Sequence, residues 1–233
     1  MQLSLFQSDP PPKKTVKEDS RNLLRKVLEP YLPERSIGFI IDWLIDQKVH
    51  LRISGTRTTK FGDYRPPRPG SIPRISVNHN LNKFAFLITL VHEMAHHMVL
   101  GGINEKHFVI SFRKKKRPKP HGAEWQSHYR NLMGPLLNPD IFPQEMIVVM
   151  KQYLENPKAS TTADQKLFRL LKIYDKPDGS EFIDKLPFDA VFHLRNGRSF
   201  RKKEKMRKRY RCICIDNGRI YLFNPMAQVF PAG

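Results

Sequence analysis

Two cysteines, Cys212 and Cys214, are all that the 233 residues contain, and a single residue separates them. Neither a disulfide framework nor a four-cysteine zinc site can be built from this chain alone. A reducing compartment is the expectation. No stretch approaches the ~18 consecutive apolar residues that a membrane-spanning helix needs, and Met1 to Pro12 lacks the basic start and apolar run of a secretory signal. The expected location is therefore the cytoplasm, with no membrane partner. Acidic residues are also scarce: 22 Asp and Glu face 41 Lys and Arg, giving a formal net charge of +19. Such an excess points to a polyanionic partner, nucleic acid first, and hence to a nucleoid-associated pool. An apolar content of 39% suffices for a true core and argues against disorder throughout.

Four regions follow from composition and periodicity: a flexible leader over residues 1–17, a main domain over 18–157, a linker over 158–185 and a basic β module over 186–233. Consecutive prolines at Pro10-Pro11-Pro12 keep the leader extended. Leu23, Leu24, Val27 and Leu28 recur at helical spacing between Asp19 and Tyr31, and Ile37, Ile40, Ile41, Leu44 and Ile45 mark a second amphipathic helix. Val49, Leu51 and Ile53 alternate with polar residues as in a half-buried strand. A loop broken by Gly62, Pro66, Pro67, Pro69 and Gly70 comes next. Ser71 to Val77 reads as another strand, with Pro73 near its start marking it as an edge. The most apolar helix is capped by Asn80 or Asn82 and runs from Phe84 to Gly101-Gly102; it should be buried on nearly every side. A helix from near His121 and another from Pro143 to Leu154 complete the main domain. In the β module, hairpins turn at Asn196-Gly197 and at Asp216-Asn217-Gly218.

His92-Glu93-Met94-Ala95-His96 lies within the most apolar helix. Histidines four apart project from one face about one turn apart, so both imidazoles reach a single zinc ion, and Glu93 borders that face. The arrangement suits a metal-activated water, with Glu93 as general base for attack on a peptide carbonyl. Three polar side chains in an apolar helix would each cost about 1 to 3 kcal/mol if buried without partners, and a metal supplies the missing partner. A third ligand has to come from elsewhere, and His97, His107, His121 and His128 lie downstream. His97 points about 100° away from His96, which makes it a poor choice. The metzincin continuation is absent, because Val99 and Gly102 stand where a glycine and a histidine would be needed. Spacing leaves the other three open. His121 begins the run His121-Gly122-Ala123-Glu124-Trp125, whose glycine permits close approach of another backbone.

HExxH followed by His-Gly-x-x-aromatic resembles the SprT family of metallopeptidases, which includes the Spartan-type proteases acting on DNA-protein crosslinks. The two motifs cover His92 to His96 and His121 to Trp125, within a resemblance that spans roughly residues 18 to 157. It implies an α+β, zincin-like fold with zinc held by His92, His96 and His121, and catalysis by Glu93. It also implies that Ser71 to Val77 is the edge strand beside bound substrate. Trp125 reads either as a wall of the site or as a core aromatic, and Glu124 as a support for the metal ligands or as a solvated helix residue. Members of the family often end in a zinc ribbon made of two cysteine pairs. Here only Cys212-Ile213-Cys214 remains, so the module is expected to resemble a ribbon without its metal, the two thiols packing inside it.

Two basic runs complete the reading. Arg113, Lys114, Lys115, Lys116 and Arg117 form one; Arg201, Lys202, Lys203, Arg207, Lys208 and Arg209, interleaved with Phe200 and Tyr210, form the other. Such residues neutralise phosphates, and the rings can stack on unpaired bases. The expected function is a zinc-dependent endopeptidase brought to DNA, where it cleaves bound or crosslinked proteins. The alternative is a nucleic-acid-binding protein, on DNA or RNA, that uses a zincin scaffold without significant proteolysis. Glu93 speaks against it, since a pure binding module needs no general base beside two metal ligands.

Overall fold

The structure is a computed structural model that describes residues 16–57, 60–101, 119–158 and 164–232. The chain divides between Tyr174 and Asp175 into two compact units and is mixed α+β, as expected: among the described residues the α-helices and a three-stranded sheet belong to the first unit, and a six-stranded sheet to the second. No helix among the described residues is long and apolar enough to cross a membrane.

The first unit opens with α1 (Val16–Leu28) and α2 (Ile37–Asp46). Among the residues of α1 whose burial is described, only Leu28 is fully buried, while Leu23 and Val27 stay exposed, so its contact with the core is narrower than its apolar spacing suggests. Strands β1 (His50–Ser54), β2 (Gly62–Arg65) and β3 (Arg74–Asn78) form a sheet in the order β1-β3-β2, with β1 parallel and β2 antiparallel to β3. Helix α3 (Lys83–Gly101) packs beneath it, followed by α4 (Ala123–Met133), α5 (Gln144–Glu155) and α6 (Gln165–Ile173). Asn82 is the cap of α3: its Oδ1 accepts from the backbone N–H groups of Phe84 and Ala85 at 3.1 and 2.9 Å. Ile75 and Val77 from β3, Phe86, Leu87, Leu90, Val91 and Met94 from α3, and Trp125, Tyr129 and Met133 from α4 meet in one core.

Two expectations need correction here. Strand β3, foreseen as the edge, is the centre of its sheet; the edge beside α3 is β2, within the stretch read as a loop. The prolines misled because they flank the strands instead of interrupting them. Pro66 and Pro67 follow β2, and Pro73 precedes β3, where its carbonyl accepts the His50 N–H at 2.9 Å. The stretch 158–185, foreseen as a linker, contains α6, whose Leu167 and Leu171 are buried. Asp164 caps that helix by accepting the Leu167 N–H at 3.0 Å, and the Asn82 amide donates to the Leu171 carbonyl at 2.9 Å.

The second unit therefore begins at Asp175, ahead of the expected residue 186. Its strands β4 (Glu181–Phe182), β5 (Val191–His193), β6 (Ser199–Lys205), β7 (Tyr210–Cys214), β8 (Ile220–Phe223) and β9 (Gln228–Pro231) lie in the order β4-β9-β5-β6-β7-β8. Every pairing is antiparallel. The two foreseen turns are present, with Gly197 and Gly218 at φ +81° and +67°, the left-handed region where glycine carries no steric cost. Ile183, Phe192, Phe200, Cys212, Cys214 and Val229 form the core. Both cysteines are buried free thiols, and burial pushes Cys212 up to about 11.

Candidate metal centre

Helix α3 carries His92, Glu93 and His96 because its apolar residues surround them: Leu90, Val91, Met94 and Ala95 are all buried. His121 reaches the same point from the turn that enters α4, with Gly122 as the N-cap of that helix. The three Nε2 atoms form a triangle, 3.2 Å from His92 to His96, 3.0 Å from His96 to His121 and 3.2 Å from His121 to His92. The edge of a tetrahedron with zinc–imidazole bonds is about 3.3 Å, so three nitrogens at this spacing can share one ion. Of the downstream histidines, His121 is the one that joins this cluster among the described residues. His97 turns away, its Nδ1 3.2 Å from the Tyr64 hydroxyl and its ring edge-on to Trp43. His128 sits on α4 outside the cluster, and His107 lies outside the described residues.

Electrostatics keep the imidazoles in the form that binds metals. Burial, and then the proximity of His96 and His121, holds His92 at about 3. Burial and His121 hold His96 at about 4, and burial lowers His121. All three are neutral near pH 7, with lone pairs available. Trp125 lies behind them, ring centroids 4.6 Å from His92, 5.6 Å from His96 and 4.8 Å from His121, and its Nε1–H donates to the His92 carbonyl at 3.4 Å. It is both wall and core, being fully buried and stacked on Tyr129. Glu124 is exposed.

Glu93 is placed by a strand that sequence reading missed. An added Cβ on Gly62 of β2 would stand 2.5 Å from Glu93 Oε1, so the absent side chain is what lets the carboxylate lie against the strand. The Tyr64 backbone N–H donates to that carboxylate. Burial, then the charge of Asp63, raises Glu93 to about 8, against the pull of the Tyr64 N–H, Lys60 and Arg57. Ahead of β2, Arg57 and Lys60 are held by buried Asn78, whose amide donates to their carbonyls at 3.1 Å each and whose Oδ1 accepts from Arg57 Nε at 2.7 Å. The one available signal was Phe61-Gly62-Asp63-Tyr64, a short alternation overshadowed by the prolines that follow.

The basic residues divide. Arg113, Lys114, Lys115, Lys116 and Arg117 lie outside the described residues. Arg207, Lys208 and Arg209 are exposed at the β6–β7 connection. Arg201 and Lys203 both pair with Asp189. Lys202, expected to face a polyanion, is buried instead: the alternation of β6 places it on the inward face with Phe200, where its Nζ donates to the Leu186 carbonyl and lies 4.2 Å from the Tyr210 ring centroid. Comparison with known protein families, with curated proteins and with solved structures finds no match to this chain.

Proposed function

We propose that the protein is a zinc-dependent endopeptidase of the SprT type, with a zincin-like first unit, acting on proteins bound to nucleic acid. The observation that carries this reading is the convergence of three neutral imidazoles on one point, with the buried carboxyl group of Glu93 next to His92 on the same helix. His92, His96 and His121 would hold the ion. Three imidazoles suit several transition metals; a three-histidine set with an open fourth position suits catalytic zinc. When bound, zinc supplies Lewis acidity, which acidifies water and polarises a carbonyl. With a cation on the imidazoles, its charge would offset the burial that raises Glu93, and the ionised carboxylate then takes a proton from the attacking water and returns it to the amine nitrogen that leaves as the peptide bond breaks. Gly62 and the Tyr64 N–H aim that carboxylate, while Trp125 and Tyr129 exclude solvent behind the imidazoles. The outer edge of β2, which pairs with no further strand among the described residues, offers an extended polypeptide a strand to pair with. The exposed Arg207-Lys208-Arg209 tip, with the run Arg113 to Arg117, would neutralise phosphates and bring the enzyme to DNA or RNA.

The test is metal content and cleavage of a DNA-bound protein, with and without DNA, for wild type, His121→Ala and Glu93→Gln. Wild type is expected to carry near-stoichiometric zinc and to cleave faster with DNA. His121→Ala should lose the metal. Glu93→Gln should keep it and lose about 10² to 10⁴-fold in rate. Zinc in wild type without cleavage of any protein would overturn the protease reading in favour of a nucleic-acid-binding protein on the same scaffold.

A further inference from the structure

Strand β2 touches Glu93 at Gly62 and ends three residues later at Arg65, where a groove of about 840 Å³ opens. At ~3.4 Å per residue the groove begins roughly 10 Å from the catalytic carboxylate. Its lining is cationic: Arg65, Arg68 and Arg74 share it with His50. Arg65 is balanced by Asp63 at 3.0 Å. Arg68 and Arg74 have no carboxylate partner among the described residues, in contrast to Arg195, Arg201 and Arg211 of the second unit, each of which has one. Guanidinium groups gathered around a concavity without a counter-charge repel one another, and an incoming anion relieves that repulsion.

We propose that this groove is a specificity subsite for an acidic side chain of the polypeptide substrate, an inference that rests on the protease reading above. The position names the occupant. An extended polypeptide lying along the outer edge of β2, with its scissile bond at Glu93, reaches the groove about three residues away. The lining fits a polypeptide better than a nucleic-acid strand. Sites for unpaired bases combine cations with aromatic stacking platforms, whereas the apolar part of this lining is Pro66, Pro67 and Ile72, the last 61% exposed. Aspartate or glutamate in the substrate meets Arg68 and Arg74, and its neighbours rest on the prolines and Ile72.

The experiment uses the full chain and peptides that share one cleavable core, with a single Glu, Gln or Lys placed in turn at each position on both sides of the bond. Wild type should prefer Glu over Lys by about ten-fold in kcat/KM near the third position, attraction of one charge and repulsion of the other each contributing about three-fold. The preference should shrink with added salt. In Arg68→Gln/Arg74→Gln it should fall within about two-fold, with metal content as the check on folding. The same peptides, labelled, are also titrated against Glu93→Gln by fluorescence anisotropy, which reads the groove without turnover. Charge preference in that binding, with no cleavage by wild type, keeps the subsite and sinks the protease reading. Cleavage without any charge preference, or a preference that survives the double substitution, sinks the subsite and leaves the protease reading standing. An oligonucleotide whose affinity drops in the double variant, while peptides of either charge bind alike, would assign the groove to phosphates and overturn the proposal.

Discussion

Lys202 in the second unit and the histidine cluster in the first are both ionisable groups inside folded cores, and the chain treats them oppositely. Lys202 is satisfied by its own surroundings: the Leu186 carbonyl accepts from its Nζ, the Tyr210 ring faces it, and the charge of Asp184 offsets part of the downward shift that burial imposes. Among the described residues, the Nε2 atoms of His92, His96 and His121 have only one another as polar neighbours, at 3.0 to 3.2 Å, with burial and mutual repulsion lowering His92 and His96. A group that its own fold satisfies is part of the scaffold. Groups held together at a cost, with lone pairs converging on one point, describe a place for something the chain does not supply.

The largest expected effect tests that contrast directly. Both tryptophans, Trp43 and Trp125, are in the first unit, and both cysteines are in the second, so each unit has its own reporter. Zinc at about a thousand times its dissociation constant should stabilise the first unit by about 4 kcal/mol, moving the tryptophan-monitored thermal midpoint up by roughly 10 °C. The midpoint for labelling of Cys212 and Cys214 should stay where it is. No movement of the tryptophan transition would remove the case for a metal centre. An equal rise in the labelling midpoint would show that the two sites are not energetically separate.

A second effect sharpens the comparison at the level of one methyl group. Gly62→Ala places a carbon 2.5 Å from Glu93 Oε1 and 2.8 Å from Thr89 Cγ2, so the carboxylate or the strand has to give. A displacement of about 1 Å in a positioned group can cost on the order of 100-fold in rate, and that is the expected loss of kcat. Zinc content should be unchanged, because no ligand moves with the strand. Wild-type kcat in Gly62→Ala would mean that β2 does not aim the general base.

How much of this was legible depends on whether the signal was local. The motif from His92 to His96 could be read because helical periodicity fixes where residues four apart point, and the structure brings His121, which the resemblance had implied, to the same point. The turns at Gly197 and Gly218 were legible for the same reason, each depending on a few adjacent residues. Strand β2 was not, since its four residues are defined by partners nine to fifteen positions away and are followed by prolines that read as loop. Nor was α6, whose helical face, with Leu167 and Leu171, becomes decisive only when the Asn82 amide meets the Leu171 carbonyl across the core. The inward turn of Lys202 was hidden by composition: in a run of cations, alternation along β6 decides which one is buried, and charge alone does not.

That residue gives the smallest expected effect and the sharpest test of the scaffold reading. Replacing Lys202 with methionine keeps most of the side-chain volume over Tyr210, removes a buried cation and leaves the Leu186 carbonyl without its donor. The cost of the lost hydrogen bond and the gain from no longer burying a charge oppose each other, so the net change should lie within about 1 kcal/mol of zero, as for other buried ionic groups replaced by apolar ones. Lys202→Ala, which also loses the packed stem, should cost about 2 to 3 kcal/mol more. Urea midpoints followed through cysteine labelling measure both. Oligonucleotide affinity should stay within about two-fold of wild type in Lys202→Met, since an inward-facing ammonium neutralises no phosphate. A ten-fold loss of affinity at unchanged stability would mean that Lys202 turns outward to a polyanion, and the contrast with the histidine cluster would then lose one of its two sides.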